Sequence, residues 1–583
     1  MTKIPKKFWW ILLAIIAVYY PLSPLLPVTG NFDEDWYHHL WLTGYLGQYL
    51  SSHGHWPLAL NATNAIGTPI QSFYGFLIYP LLSLFSLVLG PNIALRCGII
   101  LFMGLQFFLV YRLILEIIKE KTTAFTTACL ITWAIYPMTN IYNRGALAEF
   151  FATTCLVGAV CSWLLIILCK SQYERRVFTF VCGLMMCFTL GSHPITAIYA
   201  IPFSVPLIFF TFSHLRNKEK KERFEILLSL GLTILFTLIV ISPWAYLNWS
   251  HRNTLEISSS INSMVWYLTD IDLFDTRFAL LPFDKRSLVS GKNVGTPYLD
   301  AQMNMPLLIL VLGSFVISLL GSKPREKSLS FFTVSVIFFI FASILSLSPE
   351  AFTYLPQKAA VIQFGYRFIT YQNLMAFLAL IALMLVKPGV FEKIKDSWQK
   401  TSLITICLTL ALCGVFLKYQ RANVIRNKNS KPGYEFKAED KTAFLKMHKN
   451  FNYRVYNSID IPNIPISIDA PIDNVVFNLG TGENFSDPQP LNIEVKTGQW
   501  FKTNVVSFDW NKISVGNEEL SSDQIKRHDA HLAIWIPAGQ HTLVTSVKPD
   551  PALLILRGIS FYSFVMWVVG ALIFIIRQRR VYL

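Results

Sequence analysis

Three carboxylates stand in a row at Asp33, Glu34 and Asp35, and two histidines, His38 and His39, follow within about one helical turn. A carboxylate can deprotonate a hydroxyl as general base, and adjacent acids can hold Mg2+ or Mn2+ through oxygen. The same pattern ahead of an amphipathic stretch is also that of a helix N-cap on a solvated loop. Glu34 points away from a neighbour on either side, so one or two of the three acids face a common site. The acids follow directly on an apolar segment, and ionisable side chains beside a membrane helix are functional candidates by default.

Further polar residues stand at the same level once the apolar runs are laid out as membrane spans: Arg96, Arg144, Glu149, His193 and Arg367. Arginines hold phosphate by forked hydrogen bonds. Acids and arginines gathered at one membrane face suit glycosyl transfer from a phosphate-activated donor, whereas a transporter places such groups near the midplane. Each residue also has a plain structural role open to it. His193, before Pro194, can cap a helix. Arg144 and Glu149 can pair on one helix face, and Arg367 can anchor an interface.

The elements that must position these residues are membrane helices. The 583 residues are 53% hydrophobic and only 15% charged, and apolar runs near the ~20 residues that span a bilayer recur along most of the chain. The net charge of +15 lies mainly in short loops, where Lys and Arg set topology, and does not indicate nucleic-acid binding. The nine cysteines lie in or beside apolar segments, without CxxC spacing, and read as small buried side chains. The N-terminal apolar segment lacks a small-residue cleavage site and reads as a retained helix.

Placing every basic cluster on one side yields a polytopic α-helical protein of about twelve transmembrane helices, with both termini cytoplasmic and an external C-terminal β-sandwich. Helix 1 is expected over about Phe8 to Pro27, helix 2 over Asn92 to Ile118 and helix 3 over Thr123 to Met138. Phe76 to Leu89 is expected to be interfacial or re-entrant, since a full span there would put Lys119 and Lys121 outside. The organisation expected is a transmembrane region at 1–418 with external loops at 29–91 and 248–304, a sandwich or jelly roll at 419–556, and a final helix with a basic tail at 557–583. Within the sandwich, the runs VVFNLG, LNIEV, NVVSF, KISVG, HLAIWIP and HTLVTSV alternate as strands do. Trp500, Phe501, Trp510 and Trp535 are either a sugar platform or core aromatics.

Several short motifs occur in order across nearly the whole chain. They are Asp35-x-x-x-His39-Leu40; Gly54-His55-Trp56-Pro57; Gly67-Thr68-Pro69 followed by Tyr74; Tyr142-x-Arg144-Gly145-Ala146-x-Ala148-Glu149; Ser192-His193-Pro194-x-Thr196-Ala197; and Gln363-Phe364-x-x-Arg367-Phe368, with IPAGQHTL and RGISFYS near the end. In these the chain resembles the GT-C superfamily of integral-membrane glycosyltransferases. It most resembles the bacterial multi-pass proteins labelled 6-pyruvoyl-tetrahydropterin synthase-related membrane and their YfhO-like relatives. The resemblance implies an inverting transferase of the bacterial cytoplasmic membrane that takes a sugar from a polyprenyl phosphate to a glycan, glycolipid or polymer acceptor of the cell envelope. It implies a catalytic acid in the first external loop, favouring Asp35 with Asp33 open, and an interfacial helix before helix 2. Glu34, His38, His39, Tyr74, Arg96, Arg144, Glu149, His193 and Arg367 are the implied substrate-binding residues, and Arg367 the contact to donor phosphate. Some relatives use a divalent metal, which here would fall to Asp33 and Asp35. An oligosaccharide polymerase or ligase, a lipid or solute transporter, and a non-catalytic assembly protein working through its sandwich are the rival readings.

Overall fold

The structure is a computed structural model that describes residues 6–27, 32, 34–62, 65–251, 303–319, 326–347, 365–386, 391, 398–428, 473–474, 490–528 and 531–582. Asp33, the strand expected at VVFNLG and nearly all of the loop 248–304 lie outside the described residues.

Helix α1 (Lys6–Leu22) runs into a 3-10 turn at Ser23–Leu25, where Pro24 cannot continue the α-helical hydrogen bonding. Helix α2 (Glu34–His53) ends at Gly54, whose φ of +72° suits a helix terminus. A hairpin of β1 (Leu60–Ala62) and β2 (Ala65–Thr68) follows, then the short α3 (Ile70–Phe73) and α4 (Ile78–Leu89). The 12 residues of α4 extend about 18 Å, well short of the ~30 Å hydrocarbon layer. That length agrees with the interfacial or re-entrant placement expected from charge.

Helix α5 (Pro91–Ile118) stops at Lys119, which takes a left-handed conformation. The Glu120 carboxylate then caps α6 (Lys121–Thr132), accepting from the backbone N–H groups of Thr122 and Thr123. One helix was expected over Thr123 to Met138, but the chain breaks at Trp133 and restarts as α7 (Ile135–Tyr142). Pro137 explains the break: it has no N–H for the Trp133 carbonyl, and its ring would clash with that carbonyl in a continuous helix. Helices α8 (Leu147–Leu168), α9 (Gln172–Ser192), α10 (Pro194–Phe203), α11 (Val205–Leu215) and α12 (Lys220–Ser250) follow. Beyond them come α13 (Met305–Leu319), α14 (Glu326–Leu347), a 3-10 turn at Gly365–Phe368, α15 (Ile369–Val386), α16 (Trp398–Lys428) and α17 (Pro551–Tyr582).

The protein is a multi-pass membrane protein. Among the described residues seven helices are long and apolar enough to cross a membrane, or eight if α10 and α11, bent by 50° at their junction, form one span. Of the expected spans that fall short, one is broken by proline at Pro137, the 15-residue α13 is brief, and the 21-residue α9 carries Glu174, Arg175 and Arg176 near its start. Helices α8 and α15 are buried on nearly all faces and form the centre of the bundle, as expected of helices that are apolar all round. All nine cysteines are free.

The C-terminal strands build two sheets. One contains β1, β2, β5 (Gln499–Val506), β9 (His531–Ile536) and β8 (Ile525–His528) in that order, with β3 (Asp473–Asn474) also on β5. The other has the order β4 (Leu491–Val495), β10 (Gly539–Val547), β6 (Asn511–Val515), β7 (Glu518–Glu519). Phe501, Val505, Ile534 and Ile536 of the first sheet meet Val495, Ile513 and Leu543 of the second in one apolar cluster. This is the alternating in-and-out pattern of a sandwich. Ile66 of the first loop belongs to the same cluster, because β2 pairs in parallel with β5, Ile66 opposite Val505.

Asn511 locks that junction by donating from Nδ2 to the carbonyls of Gly67 (3.0 Å) and Val506 (2.8 Å). Gly67 has φ +79°, and a Cβ there would lie 2.3 Å from Asn511 Oδ1. Gly54 has a similar φ of +72° with open space around it. Either Gly→Ala change incurs the left-handed backbone cost of roughly 1–2 kcal/mol. Gly67→Ala alone adds the clash, so its thermal midpoint is expected to fall below that of Gly54→Ala; equal midpoints would mean the sheet junction contributes nothing.

Candidate active site at one end of the helical bundle

The site forms where four helix ends meet: the start of α2, the loop from α7 into α8, the turn between α9 and α10, and the 3-10 turn ahead of α15. Gly145, with φ +64°, brings the second of these against the first. A Cβ there would lie 2.5 Å from the Trp36 backbone nitrogen and 3.3 Å from Asp35 Cβ. Trp36 fixes the approach from inside, stacked edge-on against Phe32, which in turn meets Tyr142.

His39 clamps α2 in place. Its Nε2 accepts the Leu147 backbone N–H at 3.2 Å, and its Nδ1 bonds the Tyr79 hydroxyl. A backbone N–H only donates, so the neutral ring carries its proton on Nδ1. Both nitrogens are thereby committed to protein groups, and His39 holds α2 against α8 and α4.

Glu149 is the centre of the charge network. Sitting in the first turn of α8, where the helix dipole favours an anion, it accepts from Tyr136 Oη (2.5 Å) and Arg144 Nη1 (3.1 Å) and forms an ion pair with Arg367, whose Nε lies 3.1 Å away. Arg144 also donates to Asn140 Oδ1 at 2.6 Å and lies over the Tyr366 ring, 5.0 Å from its centre. The Arg144–Glu149 pair does exist, but it links a loop to a helix and takes a second arginine from far along the chain. Arg367 therefore points into the bundle; it does not serve as an interface anchor. Two donors and the Arg367 ion pair occupy Glu149, so its work is to orient two arginines.

His193 caps α10, accepting the Thr196 backbone N–H on Nδ1 at 3.3 Å and bonding Thr196 Oγ1 at 2.8 Å. That leaves the ring proton on Nε2. The cap is also part of the site: Tyr74 stands edge-on to the ring, with centroids 5.6 Å apart, and Arg367, Glu149 and Arg144 are its electrostatic neighbours. Asp35 lies within electrostatic reach of Tyr74, Tyr79 and Tyr366. Burial pushes the Tyr74 phenol up, so it is a neutral hydrogen-bonding group.

Asp35, His39, Tyr74, Arg144, Glu149, His193 and Arg367 are thus brought together, and His38 stands edge-on to the His39 ring with centroids 5.4 Å apart. Arg96 is not. It donates to the Leu25 carbonyl (2.5 Å) and Asn92 Oδ1 (2.8 Å) and lies over the Phe32 and Trp36 rings. Its place is behind Trp36, bracing the turn after α1. The Glu34 side chain lies outside the described residues, as does Asp33. Sequence reasoning missed Tyr136, Asn140 and Tyr366. The first two precede Arg144 by eight and four residues, a spacing that repeats one helix face, and the third is its neighbour in the run that carries Arg367.

No protein-family model matches the chain, and no curated protein matches it. Among solved structures it is similar to the archaeal oligosaccharyltransferase AglB from Archaeoglobus fulgidus, in complex with an inhibitory peptide and a dolichol-phosphate. The identity is 14% over 82% of this chain and 63% of that chain, with a TM-score of 0.40. It is also similar to ArnT from Cupriavidus metallidurans bound to undecaprenyl phosphate, with 11% identity over 91% of this chain and 98% of that one and a TM-score of 0.36. Arabinosyltransferase EmbB from Mycobacterium smegmatis matches at 11% identity, 94% and 64% coverage and a TM-score of 0.28. The chain spans less than two thirds of the archaeal enzyme's length.

The described donor set around Asp35 does not fit a divalent cation. The second carboxylate, Glu149, is filled by two arginines and a tyrosine, and the arginines would repel a metal. Among the described residues, three potential ligands gather only at Glu116, Cys169 and Glu174, where Lys119 pairs with Glu116 and Arg112 with Glu174.

The site histidines make the fold acid-sensitive. Burial pushes His38 and His193 down to about 3, and His39 well below its ordinary value. The unfolded chain binds these protons near pH 6.5, so the folded state loses stability as the pH falls from about 6.5 towards 3. The thermal midpoint of the purified protein is expected to drop between pH 7 and pH 5, and His193→Gln to flatten that slope. A parent midpoint level over this range would contradict the buried neutral rings.

Proposed function

We propose that the chain is a membrane glycosyltransferase that moves a sugar from a polyprenyl-phosphate donor to a glycan, lipid or polymer acceptor of the cell envelope, on the external face of the cytoplasmic membrane and with inversion. One observation carries the reading: two arginines share a single buried carboxylate, Glu149, with Asp35 within reach of the same tyrosines. Two guanidiniums held by one carboxylate leave a positive charge to receive a phosphate. Asp35 supplies the base.

In the step proposed, Asp35 takes the proton of the acceptor hydroxyl as its oxygen attacks the anomeric carbon from the face opposite the leaving group. The bond from that carbon to the phosphate oxygen breaks, and its electron pair leaves on the polyprenyl phosphate. Arg144 and Arg367 hold the charge that develops there, and the Nε2 proton of His193 is a further donor. Tyr74 and Tyr366 wall the site. Glu149 stays ionised throughout and keeps both guanidiniums aimed.

The test is a comparison of surface glycans from parent and deletion cells by mass spectrometry. Loss of one hexose-sized or pentose-sized increment is expected. Loss of whole chains would instead indicate polymerase or ligase activity, and an unchanged glycan profile would remove the proposal.

A further inference from the structure

Two indoles of the sandwich belong neither to its core nor to the site above. Trp500 on β5 and Trp535 on β9 are directly opposed partners. Phe501 and Ile534, also opposed and next along each strand, are buried between the sheets. Side chains alternate across a strand, so Trp500 and Trp535 face the other way, and both keep partial exposure. Phe501 and Trp510 are buried core residues, which reduces the four aromatics of the sequence to this outward pair.

The pair is arranged as a platform. The rings meet edge to face with centres 6.0 Å apart. Trp535 lies across Gly498, where a Cβ would come within 2.9 Å of the ring. Lys526 on β8 sets its ammonium 4.6 Å from the centre of the Trp500 ring, and Lys502 stands two residues along β5 on the same face.

We propose that this face of β5, β8 and β9 binds an anionic glycan, one whose sugar units carry carboxylates. Indole faces offer a large, rigid apolar surface for the C–H face of a pyranose ring, and the lysines supply the complementary charge at its edge. The same sheet runs through β5 into β2, which carries Gly67, so a polymer held here is presented on a sheet joined to the first loop. That role as acceptor platform rests on the transferase reading; the binding itself does not.

The test is calorimetric titration of the full-length protein in detergent with tetragalacturonate, with maltotetraose as the neutral control. Saturable binding of the acidic oligosaccharide is expected, weakened by added salt. Trp500→Ala and Trp535→Ala should each reduce it at least tenfold, and Lys526→Ala should reduce it without changing any binding of maltotetraose. Trp500→Phe, which keeps a ring, should retain most of it, and an unchanged thermal midpoint in each variant shows that the sandwich is intact. No binding by the parent, equal binding after both tryptophans are replaced, or equal affinity for the neutral sugar would each overturn the inference. Asp35→Asn separates the two readings. Binding that persists while transfer is lost supports both, whereas transfer that depends on Asp35 in a protein that does not bind the acid sinks only the platform.

Discussion

Asp35→Asn is expected to cut sugar transfer by roughly 10²- to 10⁴-fold, the range lost when a positioned general base is removed, at normal protein level. Asparagine keeps the size and the hydrogen-bonding reach of the side chain but cannot accept the acceptor proton. The structural cost is small. Asp35 sits in the first turn of α2, where loss of a charge costs about 1 kcal/mol or less, and the contact of α2 with the Gly145 loop is made largely by backbone. Asp33→Asn, made separately, resolves which acid is the base: the mutant that loses the increment in surface glycan names it. If Asp33→Asn, Asp35→Asn and the double variant all leave the glycan unchanged, the base mechanism fails. Glu149 cannot stand in, since its oxygens already accept from Tyr136 and Arg144 and pair with Arg367.

Glu149→Gln is expected to lower stability by about 3–5 kcal/mol, the cost of stranding buried charges whose partner is removed. Glu149 is only 2% exposed and Arg144 9%, so solvent cannot take the carboxylate's place. The effect should appear as a lower thermal midpoint in detergent and a smaller yield of membrane-inserted protein. Arg367→Met should be milder, because Arg144 and Glu149 remain paired, and adding it to Glu149→Gln should restore part of the loss by removing one of the two stranded cations. A Glu149→Gln protein as stable as the parent would show that the network is open to water and that the arginines are not held by it.

Much of this was legible in the chain. The apolar runs became helices because a span has to satisfy its own backbone in lipid. Strands at Leu491–Val495, Asn511–Val515, His531–Ile536 and Gly539–Val547 follow from alternating residues between turn signals. The short length of α4 was visible in the charge at Lys119 and Lys121. The break at Trp133 was visible too, in Pro137, but an apolar run reads as one helix unless its proline is weighed. Arg96 and Arg367 were indistinguishable on the sequence, each an arginine at the outer edge of an expected span.

By itself, then, the sequence determined the local matters: which segments are helix or strand, where Pro and Gly end them, and which side chains are capable of acid–base and phosphate chemistry. These depend on residues a few positions apart. The tertiary structure decided the pairings. It put Arg367 on Glu149 and Arg96 behind Trp36, because an arginine's role is set by the acceptor it meets, and that acceptor lies elsewhere in the chain. It settled the protons on His39 and His193 through the backbone N–H groups of Leu147 and Thr196. It also joined β2 to β5, making the first loop part of the C-terminal sandwich. A strand's backbone hydrogen bonds leave no mark on its sequence that names the partner, so only the folded chain could show that junction.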